Sequence, residues 1–499
     1  MNRRDFLRMT VGGAALAAVR GPASAAKGPA GRPNFLFFTA DDMNYDSLGC
    51  TASKVPDISP NLDKLAAAGM RFVHAHVTIA VCQPCRQVLM TGRYPHRNGG
   101  MGFFGITQKA PTLQEALKAA GYFQGILGKV PHLAPARRFP WDVVVRAGQL
   151  GRGRSPQLYY QATRDFLAKA KAEAKPFFLM ANSHDPHRPF VGSQQGRRTP
   201  GRQRPRKKGK QPDAPEAPIQ PPPLPEASRV YQPKEVTVPG CLPDIPNVRK
   251  EVAQYFSSVH RCDETLGAVL RALDESGLAD NTLIMFLSDN GMAFPFAKTN
   301  CYVNSTRTPW LCRWPGRIKA GTVDAEHFIS AIDFMPTILD AAGAKPPEGM
   351  DGASFLPVLL GKKDPRRDHV FTCFHQTAGR RDYPMRCVQN RRFAYIYNAW
   401  ADGKTIFRNE SQSGLSMSAM RAAARTDKQI AARVRLFLYR VPEELYDAAN
   451  DPDGLRNLVG DAKCKDDLQN LRRKLLAHMA ERKDPLAETF RQFLKEKQG

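Results

Sequence analysis

The sequence lacks the patterns of several protein classes. It has no uninterrupted apolar run as long as the ~20 residues that a membrane-spanning helix needs, so we expect no membrane span in the mature protein. It contains one C-x-x-C but no second one and no matching histidine pair, which leaves a zinc site without its second pair of ligands. Its ten cysteines are irregularly spaced, unlike a dense disulfide framework, although an oxidising compartment would allow a bridge or two. No nucleic-acid-binding motif is present, so we expect no specific nucleic acid as a partner.

Acidic residues are missing from one strongly basic block. Residues 197–210, RRTPGRQRPRKKGK, carry eight basic residues and contribute to a formal net charge of +26. The block lies in a Pro/Gly/Gln-rich stretch, 192–228, which has too little apolar surface to fold alone and is interpreted as a disordered insertion. Such an insertion is either simply solvated or contacts a polyanion such as nucleic acid, an acidic membrane or a sulfated glycan.

The N-terminus has the form of an export signal. It pairs Arg3 and Arg4 ahead of Phe6 and Leu7, and a modest apolar run and a small-residue ASA/A site follow. This pattern is typical of twin-arginine signals, so residues 1–26 predict export through the twin-arginine translocase to the periplasm or the medium. Because that route carries folded proteins, a cytoplasmic modification before export is allowed.

Residues 82–92, CQPCRQVLMTG, predict a short helix with a reactive start. Pro84 suits the first turn and Gly92 the end, so Cys82 falls at the helix N-terminus, where free N–H groups and the helix dipole favour an anion. By itself the C-x-x-C also allows a redox pair, half of a zinc site or two core cysteines. This stretch alone does not choose among a structural, a redox and a catalytic role.

Apolar runs alternate with helical patterns along the chain. The runs that predict buried strands are NFLFFT at 34–39, YFQGILG at 122–128, PFFLMAN at 176–182 and TLIMFLS at 282–288. The predicted helices include 60–69, 112–121, 158–174 and one or two helices within 248–278. This alternation predicts an α/β domain with a mostly parallel sheet.

Each of the four apolar runs is followed by polar residues. These are Asp41 and Asp42, Lys129 and His132, His184 and His187, and Asp289 and Asn290. Any one of these pairs would be explained by a helix cap or a structural histidine. Open α/β sheets, however, place their functional sites beyond the carboxyl ends of their strands. Four such strand ends together predict one shared site.

The residue types at these ends indicate the chemistry. Three carboxylates and an amide oxygen suit a hard cation such as Ca²⁺ or Mg²⁺. Arg86, Lys129 and Lys298 would surround an anion with positive charge. His132 and His184 can exchange protons near neutral pH. The set predicts cleavage of a phosphate or sulfate ester, and these residues do not distinguish the two.

Nine segments between residues 32 and 458 carry a resemblance to a known family. They are RPNFLFFTADD, PNLDKLAAAGMRF, CQPCRQVLMTGR, GKVPH, HDPH, SDNG, RWPG, SAIDFMPTILDAAG and ELYDAANDPDGLRNL. With C-x-P-x-R at Cys82, Pro84 and Arg86 as the most specific match, nearly the whole mature chain resembles the sulfatase family of the alkaline phosphatase superfamily. Cys85 falls at a variable position of that motif, which argues against a redox pair.

The resemblance implies a modified residue and a metal. In that family a separate formylglycine-generating or sulfatase-maturating enzyme oxidises the cysteine to formylglycine, here at Cys82. The ligands implied for Ca²⁺, in preference to Mg²⁺, are Asp41, Asp42, Asp289 and Asn290. The hydrated aldehyde offers two hydroxyls, one to attack sulfur and expel the alcohol or amine, and one whose deprotonation releases sulfate.

The resemblance also implies roles for the surrounding cations and histidines. Arg86 and Lys129 would stabilise the diol and the sulfate, and His132 would assist deprotonation. His184 and Lys298 would hold the sulfate and protonate the leaving group. GKVPH separates its lysine and histidine by two residues where the commonest pattern has one, a spacing also seen in the iduronate-sulfatase-like branch.

Three segments are most similar to the heparan N-sulfatase (sulfamidase) branch, namely SDNGMAFPFAKTNCY, HDPHRPF and YPMR. This similarity implies an O- or N-sulfated sugar as substrate, with His187, His375 and Arg386 as substrate contacts. An ordinary structural cation is the alternative for Arg386.

The family fold implies two parts. A large, mixed, mostly parallel sheet sandwiched by helices would occupy residues 32–360, and a smaller α+β domain, 361–499, would carry a short antiparallel sheet and a helix at 465–482. The expected function is that of an exported sulfatase acting on a sulfated saccharide. The alternatives are a phosphodiesterase or phosphonate hydrolase of the same superfamily, and a non-catalytic sulfated-glycan-binding protein in which Cys82 is never converted.

Overall fold

A computed structural model of the chain describes residues 31–193 and 224–497. The predicted export signal, 1–26, and the basic block, 197–210, lie outside the described residues, as does most of the predicted insertion, 192–228.

The described residues form twelve strands and thirteen α-helices. The strands are β1 (Asn34–Asp41), β2 (Met70–His76), β3 (Phe123–Leu127), β4 (Val143–Val145), β5 (Phe177–Pro186), β6 (Thr282–Ser288), β7 (Trp310–Arg313), β8 (Thr322–Ser330), β9 (His369–Gln376), β10 (Asp382–Asn390), β11 (Phe393–Asn398) and β12 (Glu443–Asp447). The helices are α1 (Pro60–Ala67), α2 (Cys82–Thr91), α3 (Pro95–Asn98), α4 (Leu113–Ala119), α5 (Pro156–Ala172), α6 (Pro246–Glu275), α7 (Val303–Thr306), α8 (Phe334–Ala341), α9 (Leu356–Leu359), α10 (Leu415–Ala423), α11 (Lys428–Tyr439), α12 (Lys465–Glu481) and α13 (Ala487–Glu496).

The first eight strands form one mixed sheet in the order β4-β3-β5-β1-β6-β7-β2-β8. Among the described strands of this sheet, only β7 runs antiparallel to its neighbours. Every residue of β1 and of β6 is buried, as expected for strands covered by helices on both faces. The α/β fold class predicted from the alternation of strands and helices is confirmed.

The four predicted apolar runs became β1, β3, β5 and β6, which lie side by side in parallel. Their carboxyl ends therefore meet at one edge of the sheet. Strand β5 is longer than predicted, because it continues through His184 and Asp185 to Pro186, which pairs with Asp41 across a register shift. His184 consequently lies within a strand and not in the loop that follows it.

Helix α2 begins at Cys82 and ends at Thr91, as the sequence predicts. Gly92 closes it in the left-handed conformation, with φ of 59° and its N–H donated to the carbonyl of Val88 at 2.9 Å. All ten residues of the helix are buried, so its N-terminus is held rigidly inside the domain.

The last four strands form an antiparallel sheet in the order β12-β11-β10-β9, which confirms the predicted small sheet. Helix α12 lies within one residue of the predicted bounds 465–482. Its apolar side chains share a core cluster with the sheet, in which Leu471 and Leu475 pack with Val388 and Tyr395. Burial of each such leucine stabilises the fold by about 1.5–3 kcal/mol.

The core is continuous between the two sheets. The N–H of Cys373 in β9 donates to the carbonyl of Thr78 at 2.8 Å, and Ile79 forms a parallel bridge with the same residue. The predicted division at residue 360 falls between α9 and β9 and stays a prediction.

No helix in the described ranges is both long enough and apolar enough to cross a membrane. All ten cysteines of the chain lie in the described ranges, and each is free.

Candidate active site

Three carboxylates and a thiol meet where β1, β6 and α2 come together. Asp41 ends β1, Asp42 follows it, and Asp289 follows β6. Ligand atoms that lie within 4.8 Å of one another come from Asp41, Asp42, Cys82 and Asp289, all buried. Asp42 has φ of 71°, in the left-handed region that favours glycine.

The donor set fits a divalent cation. The amide of Asn290 donates through Nδ2 to Asp42 Oδ1 at 2.7 Å, while its buried Oδ1 has no hydrogen-bond partner among the described residues. Both oxygens of Asp41 also lack a hydrogen bond and face the cations of Lys129 and Arg86 instead. Carboxylate and amide oxygens of this kind are the ligands that Ca²⁺ takes.

The three buried carboxylates repel one another and are stabilised by nearby positive charge. Burial raises the pKa of Asp289 to about 7, with Asp41 and Asp42 adding to the rise and Arg86 opposing it. Burial would also raise the pKa of Asp41, but Lys129, His187 and Arg86 outweigh it and hold that pKa well below its usual range. A bound divalent cation would relieve the repulsion among the three.

Cys82 directs its sulfur at this cluster from the first position of α2. Its Sγ lies 3.8 Å from Asp42 Oδ1, and the residue is 3% exposed. Burial, and then the Asp41 carboxylate, raise the pKa of the thiol well above its usual value. The thiol therefore stays protonated at neutral pH, and an unmodified Cys82 is a poor nucleophile.

Arg86 is fixed from four sides, one turn further along α2. Its guanidinium donates to Thr39 Oγ1 at 2.7 Å and to Asn182 Oδ1 at 2.6 Å. It pairs with Asp289 at 2.6 Å and approaches Asp41 at 3.9 Å. Thr39 and Asn182 were not predicted as site residues, although both end apolar runs that the sequence identified.

Lys129 reaches the cluster from the end of β3. Its ammonium contacts Asp41, and its backbone has φ of 50°, a second left-handed residue at this sheet edge. Its N–H donates to His184 Nε2 at 3.4 Å, so the structure brings His184 to Lys129. The ring of His184 packs on Gly153, where φ is 77° and no side chain would fit.

Both histidines expected to carry protons are neutral. Burial lowers the pKa of His184 well below its usual value, and Lys129 lowers it further. The pKa of His132 is lowered in the same way by burial, Lys129 and Arg86, and its buried Nδ1 has no hydrogen-bond partner among the described residues. Each imidazole therefore has the form that can accept a proton, although the neighbouring cations reduce its basicity.

Lys298 connects the carboxylate cluster to Glu410, a residue that the sequence analysis did not predict for the site. Its ammonium lies 2.6 Å from Asp42 Oδ1 and also contacts Glu410. His187 lies between the same two carboxylates, with Nε2 at 3.8 Å from Asp42 Oδ2 and 3.9 Å from Glu410 Oε2. Glu410 follows no apolar run or motif, so only the tertiary structure could reveal it.

His375 and Arg386 do not join this cluster. Arg386 is buried and donates to Asp484 at 2.6 and 2.9 Å and to the carbonyls of Met385 and Phe374. Burial lowers the pKa of His375, and Arg386 lowers it further. The contacts of Arg386 are those of the structural cation that was its alternative interpretation.

A model of a known protein family matches the sequence that forms this site. The family described as Sulfatase matches residues 33–344. The chain belongs to the sulfatase family. It is therefore a hydrolase of sulfate esters or sulfamates. Sulfatases generally use a formylglycine and a divalent metal, and the acidic cluster at Asp41, Asp42 and Asp289 offers this sulfatase a place for the metal.

Other comparisons place the sulfatase among its relatives. A second family model, described as the C-terminal part of N-sulphoglucosamine sulphohydrolase, matches residues 292–406. Human N-sulphoglucosamine sulphohydrolase is 30% identical over 482 residues, which cover 91% of each chain.

Solved structures share the fold. One, a complex with its substrate D-glucosamine-2-N,6-O-disulfate, has a TM-score of 0.65 and 19% identity, covering 91% of this chain and 99% of that one. A phosphonate monoester hydrolase of Agrobacterium radiobacter has a TM-score of 0.64 and 18% identity, covering 90% of this chain and 96% of the other. The fold alone therefore does not separate the two chemistries.

Proposed function

We propose that this sulfatase is exported and removes O- or N-sulfate groups from a sulfated saccharide, using formylglycine made from Cys82 and a bound Ca²⁺. The observation that carries the proposal is the cluster of three buried carboxylates around the Cys82 sulfur, within 4.8 Å. The human relative, whose name specifies a sulfated glucosamine, supports a saccharide substrate because it matches along 91% of both chains.

Asp41, Asp42, Asp289 and Asn290 would hold the metal. Ca²⁺ would supply positive charge to a sulfate oxygen and draw electron density from sulfur. The open Oδ1 of Asn290 and the hydrogen-bond-free oxygens of Asp41 support this assignment.

The state of Cys82 supports its conversion. A buried thiol with a raised pKa has little thiolate, whereas formylglycine, once hydrated, presents a hydroxyl at the same helix N-terminus. A formylglycine-generating or sulfatase-maturating enzyme is the partner that this proposal requires.

The cations and histidines around residue 82 would balance charge, bind the sulfate and transfer protons. Arg86 and Lys129 orient and charge-balance the anionic groups at residue 82, and neutral His132 takes up a proton there. Lys298 stays charged and binds sulfate, because burial lowers its pKa but Asp42, Cys82, Glu410 and Asp41 together raise it well above the usual value. A sulfate beside His184 would raise the pKa of that imidazole and load it with the proton that the leaving group needs.

The compartment is part of the same proposal. Residues 1–26 would direct the folded enzyme through the twin-arginine translocase to the periplasm or the medium, after maturation in the cytoplasm. The basic block, 197–210, would then face sulfated polymers outside the cell.

Mass spectrometry of the tryptic peptide 72–86 tests the modification. After expression with a maturation enzyme and alkylation, we expect an aldehyde at residue 82 and an alkylated thiol at Cys85, which serves as the internal control. Two alkylated cysteines in a preparation that hydrolyses sulfated sugars would overturn the formylglycine assignment.

Substrate assays test the reaction class. Sulfate release from glucosamine N-sulfate and from O-sulfated sugars is measured beside turnover of an aryl sulfate, a phosphate diester and a phosphonate monoester. We expect the sulfated sugars to be turned over fastest. Preference for the diester or the phosphonate would instead favour the phosphodiesterase or phosphonate hydrolase alternative.

A further inference from the structure

A cavity of about 350 Å³ opens directly beside the catalytic cluster. Its inner wall contains Val81, which precedes Cys82, and Thr299, which follows Lys298. Glu410, which contacts Lys298, also lines it. The volume lies within the range of ~300–1,000 Å³ that small-ligand sites occupy. The part of a substrate that extends beyond the scissile sulfate has this space available.

The outer wall comes from the smaller sheet and its following loop. The turn between β9 and β10 contributes Thr377 and Arg381, and the loop after β11 contributes Arg408 and Asn409. Asn409 is held in place because its Nδ2 donates to Thr299 Oγ1 at 2.6 Å. The loop is thus tied to the residue next to Lys298.

Arg381 and Arg408 carry charge that nothing in the described ranges neutralises. Neither side chain makes an ion pair or hydrogen bond with a described residue. By contrast, Arg188 is paired with Glu251. The cavity's own carboxylate, Glu410, is already paired with Lys298. The cavity therefore presents two uncompensated guanidinium groups.

The same two arginines also line a second, outer cavity of about 470 Å³. Lys404 adds another positive charge there, and Asp382, which accepts a hydrogen bond from Gln376 at 2.9 Å, offsets one of the three positive charges. Positive charge consequently extends outward from the catalytic cluster along one path. An arginine pair placed between two cavities suits planar, bidentate recognition of sulfate or carboxylate.

We infer that Arg381 and Arg408 form a subsite for a second anionic group of the saccharide, a sulfate or a carboxylate, next to the sulfate that is hydrolysed. This inference rests on the proposed function, because it concerns the substrate of the same site. It makes the sulfatase selective for sugars that carry at least two acidic groups.

Steady-state kinetics on matched substrates test the subsite. The substrates are glucosamine N-sulfate, D-glucosamine-2-N,6-O-disulfate, and a disaccharide that joins a uronate to glucosamine N-sulfate. For Arg381→Gln and Arg408→Gln we expect KM to rise roughly tenfold on a doubly anionic substrate, with kcat within about twofold, since each loses one charge-assisted contact. On glucosamine N-sulfate the KM of the variants should match that of the wild type.

The control variant is Arg380→Gln, because Arg380 is exposed in the same turn and lines neither cavity. It should leave KM unchanged on all three substrates. A KM effect confined to the disulfate or to the uronate disaccharide supports the subsite and identifies its group as sulfate or carboxylate, respectively. Equal KM changes on all substrates, or none, would overturn the inference. A wild type that releases sulfate from no sugar would overturn the proposed function instead.

Discussion

Lys298 illustrates how a single side chain sets the balance of charge at the site. It is 1% exposed and lies between the carboxylates of Asp42 and Glu410. Glu410 itself would repel a sulfated substrate if its charge were free. Because Lys298 contacts it and the ring of His187 lies 3.9 Å away, the carboxylate orients these two side chains, and the Lys298 ammonium offsets its charge.

We predict that Glu410→Gln lowers kcat by roughly tenfold without raising KM. The substitution keeps the shape but loses the charge-assisted contact that positions Lys298, a contact worth about 1.5–3 kcal/mol. Removing a negative charge does not weaken binding of an anion, so KM should stay constant or fall. Steady-state kinetics on a sulfated sugar measure both constants.

The matched control for this prediction is Glu173→Gln, an exposed carboxylate paired only with Lys175. It should leave kcat and KM unchanged. If Glu410→Gln raised KM and left kcat intact, Glu410 would be a substrate contact and not a positioning residue.

At the scale of secondary structure, the site is the meeting of β3, β5, β1 and β6 with the start of α2. The strands are parallel neighbours, so their polar ends converge without long loops. The two left-handed residues, Asp42 and Lys129, lie where β1 and β3 stop. The rigid sheet compensates for this local backbone strain and keeps the donor groups in place.

Metal binding at these strand ends should appear as a gain in stability. We predict that millimolar Ca²⁺ raises the Tm of the wild type and that a chelator reverses the gain, since a ligand at 100 times its Kd adds about 2.7 kcal/mol to the free energy of unfolding. Asp289→Asn should lose most of the gain because it removes a charged ligand from the cluster. Differential scanning calorimetry with and without Ca²⁺ measures the shift.

Asp165→Asn serves as the comparison variant, because Asp165 is exposed on α5 and remote from the strand ends. It should keep the full Ca²⁺ response. A response equally large in Asp289→Asn would place the Ca²⁺ elsewhere.

For the molecule as a whole, α12 connects the smaller sheet to the larger part. His478 on this helix stacks on Phe371 of β9 at 3.6 Å and meets Tyr94 edge-on at 5.2 Å. Nearby, the ring of His96 lies 3.0 Å from the carbonyl of Arg482. Histidines thus lie within the contact between the two parts.

This contact should weaken in acid. Burial and Arg482 lower the pKa of His478 to about 3 from its ordinary value of 6.5, with His369 and His96 lowering it further and Asp484 opposing them. The unfolded chain binds the proton first, so the stability contributed by His478 is complete above pH 6.5. It is lost by up to about 1.4 kcal/mol per pH unit as the pH falls toward 3.

His478→Phe keeps a stacking ring and removes the titration. We predict that chemical denaturation of this variant depends less steeply on pH than that of the wild type between pH 6.5 and 4, and that the two agree more closely at pH 8. Parallel pH profiles would show that His478 does not couple the stability of the fold to pH.

The sequence by itself determined the four adjacent parallel strands β1, β3, β5 and β6, the start of α2 and the residues at the strand ends, because apolar periodicity and helix signals are local. Asp41, Asp42, Cys82, Asp289 and Asn290 could be read in this way, since each follows or opens a recognisable element. The resemblance to sulfatases added two expectations that the local pattern does not contain, a formylglycine at residue 82 and a preference for Ca²⁺ over Mg²⁺.

Only the tertiary structure decided which side chains face one another. It brought Glu410 from a loop without any motif to Lys298, and Asn182 to Arg86, because these contacts span 112 and 96 residues of chain and depend on packing between elements. It paired Arg386 with Asp484, and it placed Arg381 and Arg408 beside the cavity without an ion pair to any described residue. Whether an arginine is neutralised depends on the carboxylates folded against it, which no local pattern contains.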